Sequence, residues 1–368
     1  MSPLKTRPIK VAMIAQDYLP LLGGAERQIA ALAPLLKERG VEVQVLTRRY
    51  KGLAPFERMG DVPVYRLPVL KTKALASLAF TLTGIPLIRR LRPDILHAHG
   101  LLSPTTMAVM AKRLWGIPIV SKSLRGGILG DFKRLVDRPL GHYRFHMLQK
   151  HVDAFVAISN EIKDEFLESG IPSDKCRFIP NGVKLDRFHP VDSLTKSRLR
   201  KQLQLPEGEI VIFVGRLESE KRVDDLLKIW QQVQARRPNS SLLILGTGSQ
   251  EEMLKKMATS NTIFKGAVDD VVPYLQASDI FVLPSVAEGL SNALLEALAT
   301  ELPVVVTATG GTTDIVRHKH SGWLIHEYEP QALLEGIVTF LQDRSLRERC
   351  AREGRQFVIE NYSLVNTV

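Results

Sequence analysis

Short runs of aliphatic and β-branched residues alternate with stretches of helical spacing along most of this chain, a rhythm that leaves few folds open to it. Residues 9–15 form one such run, Ile29, Leu32, Ala33 and Leu36 follow at helical spacing, and residues 41–46 form the next run. Unbroken or alternating apolar runs mark strands, whereas apolar residues three and four apart line one helix face. The alternation is that of βαβ units, which build parallel sheets. Further strands are expected at 94–97, 117–121, 154–158 and 177–179. After Gly182 the rhythm breaks: residues 183–209 are polar and charged. A second series then opens at 210–214 and continues at 241–245, 279–283, 303–307 and 322–325. The expected fold is α/β, with two Rossmann-like, doubly wound parallel-sheet domains facing a cleft. Residues 1–185 would form the first and 186–355 the second, followed by a short C-terminal segment, 356–368. The 368 residues suffice for two domains with sizeable cores, and the lack of low-complexity or short-period repeats excludes solenoids and coiled coils.

Cys176 and Cys350 stand far apart and offer neither a disulfide framework nor metal-ligand spacing, which favours a reducing compartment. Met1 to Lys10 carries charge and proline without an apolar core, so no signal peptide is expected and the chain reads as cytoplasmic. No segment reaches the ~18 uninterrupted apolar residues of a membrane span. The nearest, 74–88, is interrupted by Gly84 and Pro86 and bounded by Lys71 and Lys73 on one side and by Arg89, Arg90 and Arg92 on the other. Two readings stand open for it: a helix packed on the first sheet, or a basic, apolar element resting peripherally on an anionic inner leaflet. Charge is uneven, with 30 Lys+Arg against 16 Asp+Glu in residues 1–190, a net of +14, and a net of −3 in the remainder. A basic first half meets something negative. No recognition motif, zinc pattern or aromatic-basic platform points to nucleic acid, so the preferred partner is anionic lipid or an anionic acceptor glycan.

The richest segment runs Leu283-Pro284-Ser285-Val286-Ala287-Glu288-Gly289-Leu290-Ser291-Asn292-Ala293-Leu294-Leu295-Glu296-Ala297. It reads as a strand end, a glycine turn and a helix, with Glu288 in the turn and Glu296 about two turns into the helix. Open α/β sheets bind ligands at such strand ends, and the amides of Leu290 and Ser291 can hold an anion. A carboxylate accepts from sugar hydroxyls, so two acids flanking a phosphate site suit a nucleotide-sugar. On the residues alone, a helix-dipole Glu and an exposed helix Glu explain the pair as well.

This segment resembles the Glu-x7-Glu element of the retaining GT-B glycosyltransferases of family 4, and Pro303-Val304-Val305-Val306 and Gly310-Gly311 follow as in that family. The resemblance runs from Ile9 to Ser363. It implies that Glu288 lies near the donor sugar, that Gly289, Leu290 and Ser291 meet the phosphates, and that Glu296 binds the ribose. Where the family carries Pro-Glu after the double glycine, this chain has Thr313-Asp314.

Other strand ends add candidates. Val214-Gly215-Arg216-Leu217-Glu218-Ser219-Glu220-Lys221 offers a planar guanidinium fork and a point charge for phosphate oxygens. As bare residues these could equally be surface charges, but the resemblance places the family's diphosphate-binding Arg and Lys here. Gly23-Gly24-Ala25-Glu26 after the first strand lets backbone approach a phosphate at a helix N-terminus, and it resembles the family's loop over the donor phosphates and near the acceptor. Gly215, Gly246 and Lys265 resemble the family's contacts around base and diphosphate. His97 and His99 alternate onto one face, and His99 faces the cleft as an acceptor or sugar contact. Relatives often place a histidine after the next strand; here Ser123-Leu124-Arg125-Gly126-Gly127 stands there, with Arg125 as the substitute donor. The chain stops soon after Asn361-Tyr362-Ser363, so the family's bracing C-terminal helix is expected to be short or missing.

The implied function is a retaining glycosyltransferase that moves a sugar from a UDP- or GDP-linked donor to a hydroxyl of a glycan or lipid-linked acceptor in cell-surface polysaccharide or glycolipid synthesis. Glu288, Arg216 and Lys221 would carry the catalysis. No Asp-x-Asp is present, and neither metal nor cofactor is expected. Two other classes stay open: an idle nucleotide-sugar-binding or assembly protein on the same scaffold, and a sugar phosphorylase, for which no pyridoxal-phosphate lysine motif is evident.

Overall fold

The computed structural model describes residues 7–21, 23–70, 73–326 and 329–368. Leu22, Lys71 and residues 1–6, which carry parts of the loop, flank and N-terminal readings above, lie outside the described residues. The chain divides into two compact units, Met1–Pro180 with Val368, and Asn181–Thr367.

The first unit runs β1 (Ile9–Ile14), α1 (Gly24–Glu38), β2 (Val41–Arg48), β3 (Phe56–Met59), β4 (Val62–Leu67), α2 (Lys73–Leu91) and β5 (Ile95–His99). It continues through α3 (Ser103–Trp115), β6 (Ile119–Lys122), α4 (Asp131–Val136), α5 (Gly141–His151), β7 (Ala154–Ala157), α6 (Asn160–Glu168) and β8 (Cys176–Phe178). Its eight strands lie in the order β3-β4-β2-β1-β5-β6-β7-β8, parallel except for the β3–β4 hairpin. Strand order reverses between β1 and β5, and crevices at the carboxyl ends of such strands take ligands. Val11, Met13, Val43, Val45 and Val64 pack against Ile29 and Ala33 of α1 on one face of this sheet.

Helix α2 shows both sides of its sequence. Ala76, Phe80 and Ile88 are buried, whereas Leu75, Leu78 and Leu82, at helical spacing, stand about half exposed. Among the described residues no helix is long and apolar enough to cross a membrane.

The second unit contains α7 (Ser193–Gln202), β9 (Ile210–Val214), α8 (Val223–Arg236), β10 (Ser241–Leu245), α9 (Glu251–Met257), β11 (Thr262–Gly266) and α10 (Val272–Ala277). Then come β12 (Ile280–Leu283), α11 (Asn292–Ala299), β13 (Val304–Thr307), α12 (Thr312–Ile315), β14 (Trp323–Ile325), α13 (Pro330–Gln342), α14 (Arg344–Asn361) and α15 (Leu364–Thr367). All six strands are parallel, ordered β11-β10-β9-β12-β13-β14. Strand β9 is buried at every residue, as a central parallel strand covered by helices on both faces must be. Helix α8 lays Leu226, Leu227, Trp230 and Val233 into the core along one stripe, each large apolar side chain contributing about 2 kcal/mol on burial. Asp224 and Asp225 in its first turn suit the positive end of the helix. The order reverses between β9 and β12, so the loops after those two strands define the second ligand edge.

Three boundaries differ from expectation. Residues 181–185 belong to the second unit, not the first, because the Asn181 side chain donates to Asn292 Oδ1 at 3.1 Å and the Val183 amide donates to the Tyr362 carbonyl at 2.9 Å. No break occurs at 356, which lies inside the continuous helix α14. Helix α11 begins only at Asn292, so Glu296 is its fifth residue, little more than one turn in.

Candidate active site

The loops after β9, β12 and β13 are knitted together by backbone. The Val286 amide donates to the Glu220 carbonyl at 2.9 Å, and the Gly311 amide donates to the Gly289 carbonyl at 2.7 Å. A short 3-10 turn, Ser219–Lys221, places the Lys221 side chain against the β12 loop. There Lys221 Nζ lies 2.5 Å from Glu288 Oε1, with both side chains largely shielded from solvent. An ammonium has three donors, so this contact leaves two N–H groups of Lys221 for a ligand. Arg216, on the same loop, pairs with Glu220 at 3.2 Å and keeps its guanidinium about half exposed.

Two glycines make the close approaches possible. Gly310 sits at φ +54, and a Cβ there would lie 2.1 Å from the Glu288 carbonyl oxygen. Gly246, at φ +129, presses on Gly215 so closely that a Cβ would lie 1.9 Å from the Gly215 oxygen. Both positions demand glycine on conformational and steric grounds. The β9 and β10 loops are tied further by Leu217 N–H to the Thr247 carbonyl at 2.9 Å and by Ser249 Oγ to Glu218 Oε2 at 2.6 Å.

The turn into α11 carries a side-chain cap and several amides that stay free of protein acceptors among the described residues. Ser291 caps the helix by accepting from the Leu294 amide. The amides of Gly289, Leu290 and Ser291 donate to no acceptor among the described residues, and unpaired amides at a helix start attract negative charge. Glu288 and Glu296 are 8% and 9% exposed, so Glu296 is not a surface acid on a solvated helix face. Nearby, the buried Ser285 Oγ and Thr312 Oγ1 have no hydrogen-bond partner among the described residues.

Lys265 stands apart from this group. It occupies the edge strand β11, not a loop, and its ammonium donates to the Leu203 carbonyl at 3.0 Å, beyond the end of α7.

In the first unit, His97 and His99 project from one face of β5 with rings stacked at 4.3 Å, and His99 pairs in register with Lys122 of β6. Burial lowers the Lys122 pKa to about 8. Burial, helped by the Lys122 charge, lowers that of His97 to about 3. His99 is held well below its ordinary value by burial first and then by His97 and Lys122. Both rings are therefore neutral near pH 7, and their shielded Nε2 atoms have no hydrogen-bond partner among the described residues. Arg125 lies in the loop after β6, its carbonyl accepting from the Asp131 amide at 3.0 Å and from Ser123 Oγ at 3.2 Å. Gly23 is extended and precedes Gly24, the first residue of α1. Among the described residues no group of three or more His, Cys, Asp or Glu side chains could hold a metal ion.

The resemblance, not the spacing alone, singles out Glu288, Glu296, Arg216 and Lys221; the structure adds the contacts around them, Asn181 on Asn292, the Glu220 carbonyl on Val286, and Gly310 against the Glu288 carbonyl.

The family model described as Glycosyl transferases group 1 matches residues 195–357, and that described as Glycosyltransferase Family 4 matches residues 22–187. The chain is 26% identical over 380 residues to an uncharacterized glycosyltransferase of Methanocaldococcus jannaschii, a match covering 97% of this chain and 95% of that one. It is 24% identical over 366 residues to the GDP-mannose-dependent alpha-(1-6)-phosphatidylinositol monomannoside mannosyltransferase of Mycobacterium tuberculosis, covering 95% of this chain and 93% of that one. A solved structure of Anabaena HepE in complex with UDP-glucose shares the fold at a TM-score of 0.80, over 98% of this chain and 97% of that one at 19% identity. With both family models matched and the paired parallel-sheet domains in place, the chain belongs to the group 1, family 4 glycosyltransferases and has their GT-B fold.

Proposed function

We propose that this glycosyltransferase moves a hexose from a nucleoside-diphosphate donor to a hydroxyl of a glycan or lipid-linked acceptor, with retention of configuration and without a metal ion. The observation that carries this reading is the Lys221–Glu288 pair beside the unpaired amides of Gly289, Leu290 and Ser291. A diphosphate on those amides meets the ammonium of Lys221 and the exposed guanidinium of Arg216. Two fixed cations stabilise the charge that grows on the departing diphosphate, the work a divalent ion does elsewhere. Glu288 orients the sugar hydroxyls, Glu296 takes the ribose, and Gly215 and Gly246 let backbone lie close to the nucleotide. Acceptor oxygen attacks the anomeric carbon on the face from which the diphosphate leaves; the C–O bond to phosphate breaks, the new C–O bond forms, and the acceptor proton passes to a phosphate oxygen. Gly23, Gly24 and Arg125 of the first domain serve the acceptor side, whereas His99, expected there, is buried.

A relative named for GDP-mannose and a phosphatidylinositol mannoside, and a neighbour holding UDP-glucose, support a nucleotide-sugar donor and a lipid-linked acceptor. Nucleoside diphosphate release from UDP- and GDP-hexoses, with membrane extract as acceptor source and EDTA present, tests the reading. Release with at least one donor, insensitive to EDTA, is expected. Release with none, or its abolition by EDTA, contradicts the reading.

A further inference from the structure

Between β6 and β7 the first domain carries an element that buries Leu135, Phe145 and Leu148 but leaves other apolar side chains outside both the core and the catalytic proposal. A 3-10 turn, Gly127–Leu129, leads into α4 and then α5. Ile128 and Leu140 are 80% and 75% exposed, the most exposed large apolar side chains among the described residues, and Tyr143 is 61% exposed. Single exposed apolar residues are ordinary, so the case for a surface rests on how this element holds them and on the charge around them.

The element is braced, so these side chains are presented and not merely loose. Phe132 and Phe145 meet edge to face at 4.8 Å between α4 and α5. The Asp131 carboxylate accepts from the Leu124 amide at 2.9 Å, and the Gly127 amide donates to Glu165. Leu140 sits at φ +58, a left-handed conformation that a leucine rarely adopts. The tight turn behind it also requires glycine at 141, where a Cβ would lie 2.3 Å from the Val136 oxygen. Such a conformation persists where the surrounding structure enforces it, and its effect here is to hold Leu140 outward.

Charge selects the partner. Residues 125–146 hold five Lys+Arg against two Asp, and Asp131 is buried. Lys133, Arg134 and Arg138 are exposed. Separate apolar projections rimmed by cations, with a tyrosine at the margin, fit an anionic bilayer: the aliphatic tips enter the acyl boundary, the phenol stays at headgroup level, and the cations meet lipid phosphates. A folded protein partner would instead ask for a continuous packed face. The position is apt, since the element follows the carboxyl end of β6, the edge of the sheet that takes ligands.

We infer that the α4–α5 element is a membrane-docking surface for anionic bilayers, which carries the acceptor-binding domain to a lipid-linked acceptor. This rests on the reading that the acceptor lies in a membrane.

The test is cosedimentation of the full chain with phosphatidylcholine vesicles and with equimolar phosphatidylcholine–phosphatidylglycerol vesicles. Wild type should bind the anionic vesicles and not the neutral ones. Ile128→Ser with Leu140→Ser should weaken binding at least about tenfold, and Lys133→Glu with Arg134→Glu by a similar factor that shrinks as salt rises. Both variants should keep the wild-type thermal transition and wild-type transfer to a water-soluble acceptor. Equal binding to both vesicle types, or undiminished binding by both variants, overturns the assignment. So does a concentration-dependent dimer that Ile128→Ser with Leu140→Ser abolishes, which would make the surface a self-association face. Docking without sugar transfer to any acceptor would sink the proposed function and leave this surface standing; transfer without docking would do the reverse.

Discussion

Lys221 Nζ and Glu288 Oε1 meet at 2.5 Å across 67 residues of sequence. One arrives on the loop after β9 and the other on the loop after β12, the two strands that flank the order reversal of the second sheet. The pair follows from topology: β9 and β12 are distant in sequence but parallel neighbours in the sheet, so the loops after them meet at one edge.

Lys221→Ala should lower kcat/KM by about 10²–10³-fold, the usual cost of removing a preorganised group from a developing charge. It should also destabilise the second domain by about 3 kcal/mol, because Glu288 is left charged and unpaired in a shielded site. Glu288→Gln keeps shape and an acceptor, so its stability loss should be smaller while its activity loss is comparable. Urea unfolding alongside steady-state kinetics separates the two effects.

Gly310→Ala places a methyl group 2.1 Å from the Glu288 oxygen at a backbone angle alanine avoids. The loop must shift, and Glu288 with it. Stability should fall by about 1–3 kcal/mol, and turnover should fall further than donor affinity, as measured by comparing kcat with calorimetric donor binding. Unchanged kcat would show that the support is not needed.

Lys265→Ala removes a donor from the Leu203 carbonyl and little else. Donor affinity should stay within about twofold, and the melting transition should fall by the equivalent of about 1 kcal/mol. A tenfold loss of affinity would return Lys265 to the donor site.

Acid should weaken the first domain. Unfolded histidine takes a proton near pH 6.5, whereas folded His97 does so only at about 3 and folded His99 also well below its ordinary value. Between those limits the unfolded chain binds more protons, so stability is complete above about pH 7 and falls below 6.5 by up to about 1.4 kcal/mol per pH unit for each histidine. Urea titrations at about pH 7 and about pH 5 should show the loss, and His97→Phe should flatten the slope.

What could be read from sequence divides along physical lines. Buried parallel strands are continuous apolar runs, so 210–214 and 241–245 coincide with β9 and β10. The β3–β4 hairpin escapes the same reading, because Glu57 and Arg58 break its apolar pattern and Pro63 argues against a strand. Glu288, Glu296, Arg216 and Lys221 stand out through the family resemblance, because the residues alone read equally well as helix-dipole or surface charges. The reach of Lys265 does not, because a long side chain on an edge strand can point to either end, and only the packing of α7 decides it. Gly310 is visible as a glycine, but its place under Glu288 depends on the spacing of β12 and β13, which no local pattern encodes. The outward Leu140 is likewise invisible, being set by the close turn at Gly141.

The central claim is that Arg216 and Lys221 together neutralise the leaving diphosphate. Single-turnover transfer by the Arg216→Met, Lys221→Met double variant, with saturating donor and folding verified, measures it directly. The account predicts a rate at least about 10³-fold below wild type that added divalent metal does not restore; a rate within a few-fold of wild type would contradict it.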